Sequence, residues 1–171
     1  MALDIKTSRL HIREWLVTDA ELFLPLSHDP ALAGSNFGKL AQESLDDAER
    51  RIIEWALAFG QTKMGILPVF LKNQNVQIGV CGIKPLMLKQ GLHFEVIGRI
   101  ASTQSQQGYA DEVIPEIMNY AFQKLGLKEV VGISPRESAE SQKILENAGM
   151  SFLKSVDLQN KKVNIFSVAA Q

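Results

Sequence analysis

The sequence predicts a single α+β domain spanning residues 1–171, and three observations favour this fold class. Apolar and polar residues alternate at 10–15, which is typical of a half-buried strand. A strand-like run, a polar loop, a glycine and a helix-like segment follow one another at 94–125. The length of 171 residues suits one domain with a sizeable core, and we find no repeat, linker or low-complexity segment.

Composition and charge argue against several classes of function. The chain has 18 Lys and Arg against 19 Asp and Glu, and this near-neutral balance argues against nucleic acid as the main partner. No apolar run approaches the roughly 18 residues of a membrane span, and the first residues lack the long apolar core of a signal peptide. We therefore expect a cytoplasmic protein with no membrane partner. For the oligomeric state, we expect a monomer or a homodimer.

The single cysteine, Cys81, excludes an internal disulfide and is compatible with a reducing cytosol. It lies in the apolar run 78–83, so we interpret it as a buried core residue rather than a nucleophile. We expect no metal, because the three histidines are scattered without the spacing of metal ligands: His11, His28 and His93.

The N-terminal part predicts a strand, a helix and a loop. The strand covers 10–15. Thr18 then reads as a helix N-cap, with Glu21 completing a capping box for a helix through about His28. Residues 31–43 form a weakly patterned loop.

A second helix and two further strands follow. The helix covers 44–59, and Gly60 is its predicted C-cap. Strands at 66–71 and 77–83 are joined by a polar hairpin loop. The next turn is predicted at 89–91.

The stretch 94–125 is the most informative part of the sequence. A strand at 94–101 leads through a polar loop to Gly108 and then to a helix. A helix start leaves about four N–H groups unpaired and has partial positive charge, so the turn is either an anion site or an ordinary tight turn. Pro115 removes one helical hydrogen bond, so we expect a kink there or a regular helix that begins later than Gly108. Helical spacing places these residues on one face: Val113, Ile114, Ile117, Met118, Ala121, Phe122 and Leu125.

The C-terminal part predicts a strand, a helix and a hairpin. The strand covers 129–133. Ser134 as N-cap, followed by Pro135 and by Glu137, predicts a helix that runs to about Ala148. The closing hairpin has strands at 152–158 and 163–168 and turns at Asn160-Lys161.

Three separate regions, 7–20, 78–110 and 129–150, resemble the GNAT N-acetyltransferases, particularly the branch that acetylates ribosomal-protein N-termini. That branch opens with T-x-R-L-x-L-R-x-W, and its central strand E-I-G-Y-x-L runs into a loop ending W-G-K-G-Y-A. Here the matching residues are Glu95, Val96 and Ile100 in the strand and Gly108-Tyr109-Ala110 in the loop. Two positions depart from the pattern, because Ser105 replaces a Gln or Arg and Ser138 replaces an asparagine. No Lys or Arg lies between 102 and 110.

The resemblance implies a GNAT-type fold: a mixed, mostly antiparallel twisted sheet with helices on both faces and a splayed acyl-CoA cleft. It implies an N-acetyltransferase in which a primary amine directly attacks the thioester of acetyl-CoA, the cosubstrate. The acceptor is a protein N-terminus or a small-molecule amine, and residues 31–43 would lie over its site. The alternative is a non-catalytic GNAT-fold module that binds acyl-CoA or a partner protein.

The resemblance also assigns the cofactor-binding residues. Main-chain groups of Ile100 and Ser102 would align the pantetheine arm by strand-like pairing. Ser138 replaces the family's asparagine in this set. The amides that would cradle the pyrophosphate at the helix N-terminus belong to Gln106, Gln107, Gly108, Tyr109 and Ala110.

Two catalytic candidates follow from the same comparison. Glu95 is the candidate base, and strand alternation puts it on the same side as Ile97 and Arg99. Its alternative role is an ion pair with Arg99 or the orientation of the acceptor. Ser141 is the candidate acid toward the leaving thiolate. Its alternative is an ordinary polar helix residue, with Tyr109, water or no group at all as the acid.

Overall fold

The computed structural model describes residues 1–32 and 43–171, and within these ranges eight strands form one mixed sheet. The strands are β1 (Asp4–Lys6), β2 (Leu10–Arg13), β3 (Gly65–Leu71), β4 (Gln77–Leu88), β5 (Gly91–Ile100), β6 (Glu129–Pro135), β7 (Ser151–Leu158) and β8 (Lys161–Ala169). Their order across the sheet is β1-β2-β3-β4-β5-β6-β8-β7. Every neighbouring pair is antiparallel except β5 and β6, which run parallel, so the predicted mixed sheet is confirmed.

Helices cover both faces of this sheet, as predicted. They are α1 (Ala20–Ser27), α2 (Leu45–Thr62), α3 (Tyr109–Gln123) and α4 (Ala139–Asn147). One buried core packs α3 and α4 against the sheet and includes Val96 and Val113. A second core packs α1 and α2 against the opposite face and includes Phe23 and Ile97. No helix of the described ranges is long and apolar enough to cross a membrane.

The parallel pair β5 and β6 opens the sheet. The register between these two strands consists of one pair, Glu95 with Val131. Strand β5 pairs with β4 along its whole length, so its other edge separates from β6 on the way to Ile100. The predicted splay is therefore confirmed, and it lies between the C-terminal halves of β5 and β6.

Side chains of β5 alternate between the two cores. Val96 packs toward α3, and a Cβ on Gly98 would lie 2.8 Å from the Cγ1 atom of Ile114 in α3. Ile97 packs toward α1 and α2. Alternation therefore places Glu95 and Arg99 on the face toward α1 and α2.

The start of the first helix differs from the prediction. Strand β2 ends at Arg13, and the guanidinium of Arg13 donates two hydrogen bonds of 2.8 Å to the Asp19 carboxylate. Asp19 also accepts the Leu16 N–H at 2.8 Å, so residues 17–19 form a 3-10 turn and α1 begins at Ala20. The predicted capping box at Thr18 is wrong, because Asp19 closes this turn instead and is held in place by Arg13 at the end of β2.

Two other boundaries in the N-terminal half differ. Ser44 is the N-cap of α2, and its hydroxyl accepts the Asp47 N–H at 3.2 Å. Gly60 is not the C-cap, because α2 continues to Thr62 and its C-cap is Lys63, which has a φ of 58°.

The edge strand β1 was not predicted from the sequence, because its three residues are too few to show an alternating pattern. Most of the predicted loop at 31–43, namely 33–42, lies outside the described residues.

The predicted helix start at Ser134 is also wrong. Ser134 is buried in β6 opposite Asn164, and Pro135 pairs with Val163, so β6 uses both residues to complete its pairing with β8. The N-cap of helix α4 lies four residues later, at Ser138. The closing hairpin is present, but it turns at Gln159 and Asn160, which have φ angles of 50° and 63°.

Helix α3 begins at Tyr109, directly after Gly108. The alternative of a later start is therefore wrong. Pro115 lies inside the helix, in its second turn.

Candidate functional site

A cleft of about 320 Å³ lies where β5 and β6 separate. Residues of α3 and α4, which cover one face of the sheet, line it together with residues of β5, β6 and β8. The polar and charged residues in this wall, within the part of the chain that the structure describes, are Glu95, Arg99, Ser141 and Lys161. The fold thus brings Glu95 and Ser141, which are 46 positions apart in the sequence, into one cleft.

Glu95 is buried, with 5% of its surface exposed, and it lies opposite Lys84 in the β4–β5 register. Burial lowers the pKa of the Arg99 guanidinium, and the negative charge of Glu95 acts in the opposite direction. The two residues therefore interact electrostatically on the α1–α2 side of the cleft. This arrangement is compatible with a base and with the ion pair that we considered for Glu95.

The main chain of β5 presents hydrogen-bonding groups to the cleft. The Ala101 N–H donates to the Ile78 carbonyl at 2.8 Å, so odd-numbered residues of this segment direct their main-chain groups toward β4. The main-chain groups of Gly98 and Ile100 consequently point toward β6 and the cleft. Ile100 was predicted to align an extended ligand, and it lies in a suitable place.

Ser102 lies at the end of this edge, and its main chain is already engaged. Its N–H and hydroxyl donate to the Asp29 carboxylate at 2.7 and 2.6 Å. Its carbonyl accepts the N–H of Ser105 at 3.3 Å and the Ser105 hydroxyl at 2.9 Å. Burial acts to raise the pKa of Asp29, but hydrogen bonds from Ser102 and Ala31 outweigh it, and this pKa is lowered. The pairing of Ile100 and Ser102 with the pantetheine arm stays a prediction.

The loop after β5 ends in a left-handed turn at the start of α3. Gly108 is the N-cap with a φ of 77°, and Gln106 has a φ of 60°. The Glu112 N–H is bonded to the Gly108 carbonyl at 3.2 Å, so the amides of Tyr109 and Ala110 precede the first helical hydrogen bond. Left-handed residues next to a helix start turn successive N–H groups toward one side, which is the geometry of an anion site. Gln107 and Gly108 are exposed in this turn.

Sequence reasoning missed a cation beside this turn. Arg9 lies in the segment between β1 and β2, and it donates to the Gln107 carbonyl at 2.8 Å. Its guanidinium carbon lies 4.5 Å from the centre of the Tyr109 ring. The loop has no cation of its own, so Arg9 supplies positive charge from a distant part of the sequence. The motif T-x-R-L contained the signal, but sequence spacing gave no indication that it lies against α3.

Glu112 fixes Arg9 in this position. Its carboxylate accepts hydrogen bonds from the hydroxyls of Thr7 and Ser8 and from the main chain and side chain of Arg9. Burial acts to raise the pKa of Glu112, but the hydrogen bonds from Thr7, Arg9 and Ser8 prevail and lower it to about 2. The carboxylate is therefore ionised at neutral pH and binds the 7–9 segment to the first turn of α3.

Ser138 and Ser141 form a short hydroxyl pair at the start of α4. Ser138 Oγ accepts the Ser141 N–H at 3.3 Å and donates to Ser141 Oγ at 3.0 Å. When Ser138 is the donor in this pair, the hydroxyl hydrogen of Ser141 is available to another acceptor. Ser141 lines the cleft, whereas Ser138 acts on it through the helix cap.

Cys81 is buried and takes no part in the cleft. Burial raises the pKa of its thiol far above the ordinary range, so it stays a neutral core residue. Across residues 1–32 and 43–171, no group of three His, Cys, Asp or Glu side chains is placed to hold a metal ion.

Comparison with known proteins identifies the family. Residues 9–151 match the family model of the GNAT acetyltransferase domain, and the chain therefore belongs to this family of acetyltransferases. No curated protein sequence matches the chain at a significant level.

Solved structures share the fold at low sequence identity. A protein of Bordetella pertussis assigned to the GNAT acetyltransferases has a TM-score of 0.80 at 16% identity, with 98% of this chain and 99% of that chain covered. The ribosomal L7/L12 alpha-N-protein acetyltransferase RimL, in complex with coenzyme A, has a TM-score of 0.79 at 11% identity over 98% of both chains. The microcin C7 self-immunity acetyltransferase MccE, in complex with acetyl-CoA and AMP, has a TM-score of 0.76 at 14% identity over 96% of this chain and 94% of that chain.

Proposed function

We propose that this protein is an N-acetyltransferase that transfers the acetyl group of acetyl-CoA to a primary amine. The observation that supports this most directly is the cleft between β5 and β6, which has a buried carboxylate on one wall and a hydroxyl on the other. Membership of the GNAT family supports the same reaction class. Acetyl-CoA supplies an activated acyl group as a thioester, and the chain must bind, orient and deprotonate the reactants.

The residues of the cleft and the loop fit acetyl-CoA. The pantetheine arm would extend along β5 and pair with the main chain of Gly98 and Ile100. A side chain at position 98 would lie against Ile114, so glycine keeps this part of the wall open. The pyrophosphate would lie on the amides of 106–110 at the N-terminus of α3, with Arg9 beside it.

Glu95 and Ser141 would act on opposite sides of the reacting thioester. Glu95 would accept the proton of the amine, because it is the carboxylate among the described residues that line the cleft. The amine nitrogen attacks the carbonyl carbon, the carbon–sulfur bond breaks, and the Ser141 hydroxyl donates a hydrogen bond to the leaving thiolate. Main-chain N–H groups along the edge of β5 would stabilise the oxyanion by roughly 3 kcal/mol per donor.

One observation favours a second candidate function, a non-catalytic module that binds acyl-CoA. Ser105 replaces the Gln or Arg of the family pattern, and its hydroxyl is bonded to the Ser102 carbonyl at 2.9 Å. The loop thus lacks one side chain of the family pattern. Such a module would bind CoA without releasing thiol.

The experiment that separates the two functions measures binding and turnover in parallel. Calorimetric titration with CoA tests the site, and release of free thiol from acetyl-CoA with a panel of amines tests the reaction. The panel contains peptides with free N-termini, amino acids, polyamines and aminoglycosides, and mass spectrometry detects the acetylated amine. Binding with amine-dependent thiol release supports the enzyme, and binding without thiol release from any amine supports the module.

A further inference from the structure

We propose that the acceptor is a primary amine with a carboxylate close to the amino group, and that Arg99 binds this carboxylate. This inference rests on the proposed function and names the substrate class of the same site. The partly buried Arg99 suggests this role, because no step of the proposed acetyl transfer uses a guanidinium.

The position of Arg99 places it on the acceptor side of the cleft. Gly98 faces α3, and Ile97 faces α1 and α2, so Arg99 shares the second face with Glu95. The turn at Gly108 begins α3 and therefore lies on the other face of β5. An amine that reaches the thioester from the α1–α2 face therefore passes Arg99 and Glu95 together.

The charge of the cleft favours an anion. Among the residues that the structure describes, the charged ones in its lining are one acid, Glu95, and two bases, Arg99 and Lys161. Lys84 adds another positive charge on this face, directly across from Glu95 in the β4–β5 register. A carboxylate on the acceptor balances this excess, whereas a polyamine meets repulsion from it.

Burial makes the charge of Arg99 costly in the free enzyme. The effect of burial on this guanidinium exceeds the compensating effect of Glu95, so a second negative charge beside it is favourable. A planar guanidinium binds a carboxylate through two parallel hydrogen bonds, which fixes orientation as well as position. An ammonium at the same place would lack this geometry.

The size of the cleft explains why the carboxylate must lie near the amine. The Cα atoms of Glu95 and Arg99 are about 13 Å apart on one strand, at about 3.3 Å per residue, and both residues line a cleft of about 320 Å³. An acceptor whose carboxylate lies near its amine could present its amino group to Glu95 and its carboxylate to Arg99. A free amino acid satisfies this geometry, and so does an acidic residue at the N-terminus of a peptide.

The test compares matched pairs of ligands that differ only in the carboxylate. N-acetylglycine and N-acetylglycinamide, and the corresponding pairs of N-acetyl-serine and N-acetyl-phenylalanine, are titrated by NMR in the presence of CoA, so the readout does not require turnover. Arg99→Gln removes the charge, Arg99→Lys retains it without the planar fork, and Lys128→Gln removes an exposed charge at the start of β6. Retained CoA affinity and an unchanged unfolding temperature check that each variant is folded.

We expect the parent protein to bind the acid of at least one pair tenfold or more tightly than the amide, which corresponds to about 1.4 kcal/mol. In Arg99→Gln the preference falls below about threefold, in Arg99→Lys it is intermediate, and in Lys128→Gln it is unchanged. Equal binding of acids and amides by the parent protein overturns the inference, as does an unchanged preference in Arg99→Gln. If all three probe pairs fail to bind while CoA binds, the inference is equally overturned.

A turnover assay separates this inference from the proposed function. Thiol release is measured with amino acids, with their amides, with spermidine, and with peptides that begin with Asp or Asn. Release with spermidine or the amides in preference to the acids overturns the acceptor class and leaves the acetyltransferase intact. No release with any amine overturns the proposed function, and the NMR titration then still decides whether Arg99 binds a carboxylate.

Discussion

Arg9 Nε lies 2.7 Å from Glu112 Oε2, and this ion pair joins the segment after β1 to the first turn of α3. The pair orients the Arg9 guanidinium beside the turn at Gly108, which has no Lys or Arg of its own. It also links two regions that are 103 positions apart in the sequence. If the pyrophosphate binds at α3, as we propose, its binding is coupled to the packing of the N-terminal edge of the sheet.

Glu112→Gln should destabilise the protein in a manner that depends on pH. The pKa of Glu112 is lowered in the folded state from 4.5 to about 2, so its stabilising effect is present above pH 4.5 and is lost as the pH falls toward 2. At pH 6 we expect a loss of about 1–3 kcal/mol in the free energy of unfolding, because several charge-assisted hydrogen bonds weaken. Urea unfolding between pH 2.5 and 6 should show the gap to the parent protein closing as the pH falls. Glu54→Gln, an exposed change on α2, is the control, and a gap that is independent of pH would contradict the assignment.

Arg9→Gln should weaken CoA binding about tenfold, because a charge-assisted contact to phosphate of about 1.4 kcal/mol is lost. The effect should shrink as salt rises, since the site is exposed and screening acts on it. Glu112→Gln frees Arg9 but leaves its charge, so its effect on CoA affinity should be smaller. Calorimetric titrations at 50 and 500 mM salt, with Lys128→Gln as the matched control, measure both effects. Equal affinity of Arg9→Gln and the parent protein would exclude Arg9 from the phosphate site.

Gly108→Val should abolish CoA binding. Position 108 has a φ of 77°, which a β-branched residue adopts at high cost, and a side chain there would also cover the amides at the start of α3. Gly126→Val is the matched control, because Gly126 has a φ of 67° at the other end of α3. Both variants should lose similar amounts of stability, and calorimetry should show that only Gly108→Val loses the ligand. Unchanged affinity in Gly108→Val would remove the phosphate from this turn.

Local sequence patterns predicted the centre of the fold well. The run from β5 through Gly108 to α3 was predicted because its strand, turn and helix signals all lie within one continuous segment. The splay of β5 from β6 is not a local property, and it came from the resemblance to the family. The cleft residues Glu95 and Ser141 were predicted in the same way.

The errors came from interactions between distant residues. Thr18 and Ser134 are good N-caps by local pattern, but Arg13 holds Asp19 in the first case and pairing with β8 extends β6 in the second. Arg9 was missed because nothing in its neighbourhood indicates that it contacts Gln107, 98 positions later. Local sequence patterns report on neighbouring residues, whereas these contacts form only when the tertiary structure brings distant segments together.

Glu95→Gln should change the dependence of turnover on pH. If Glu95 accepts the proton of the amine, its loss should remove the acidic limb of the pH–rate profile and lower kcat by about 10²–10⁴-fold. If Glu95 only balances the charge of Arg99, the profile should keep its shape, and the KM of the acceptor should change more than kcat. Thiol release at saturating acetyl-CoA across pH 5.5–9 distinguishes the two roles. Ile97→Val, a conservative change between the two charged residues, controls for packing on this strand.

Ser141→Ala should lower turnover roughly 10- to 100-fold, at the low end of the range for general acid–base catalysis. A serine need only hydrogen-bond the developing thiolate, and this is a modest demand because a thiol has a pKa of about 8.5. Ser138 Oγ lies 3.0 Å from Ser141 Oγ and supports it without lining the cleft, so Ser138→Ala should reduce turnover less than Ser141→Ala. Ser138→Ala should also lower the free energy of unfolding by about 1 kcal/mol, because α4 loses its N-cap. Acetyl-CoA affinity should change little in Ser141→Ala, which single-turnover and binding measurements separate from kcat. An acyl donor with a more acidic thiol needs less assistance, so its turnover should fall less than that of acetyl-CoA in Ser141→Ala. A loss of equal size with both donors would show that Ser141 positions the thioester and does not protonate the leaving group.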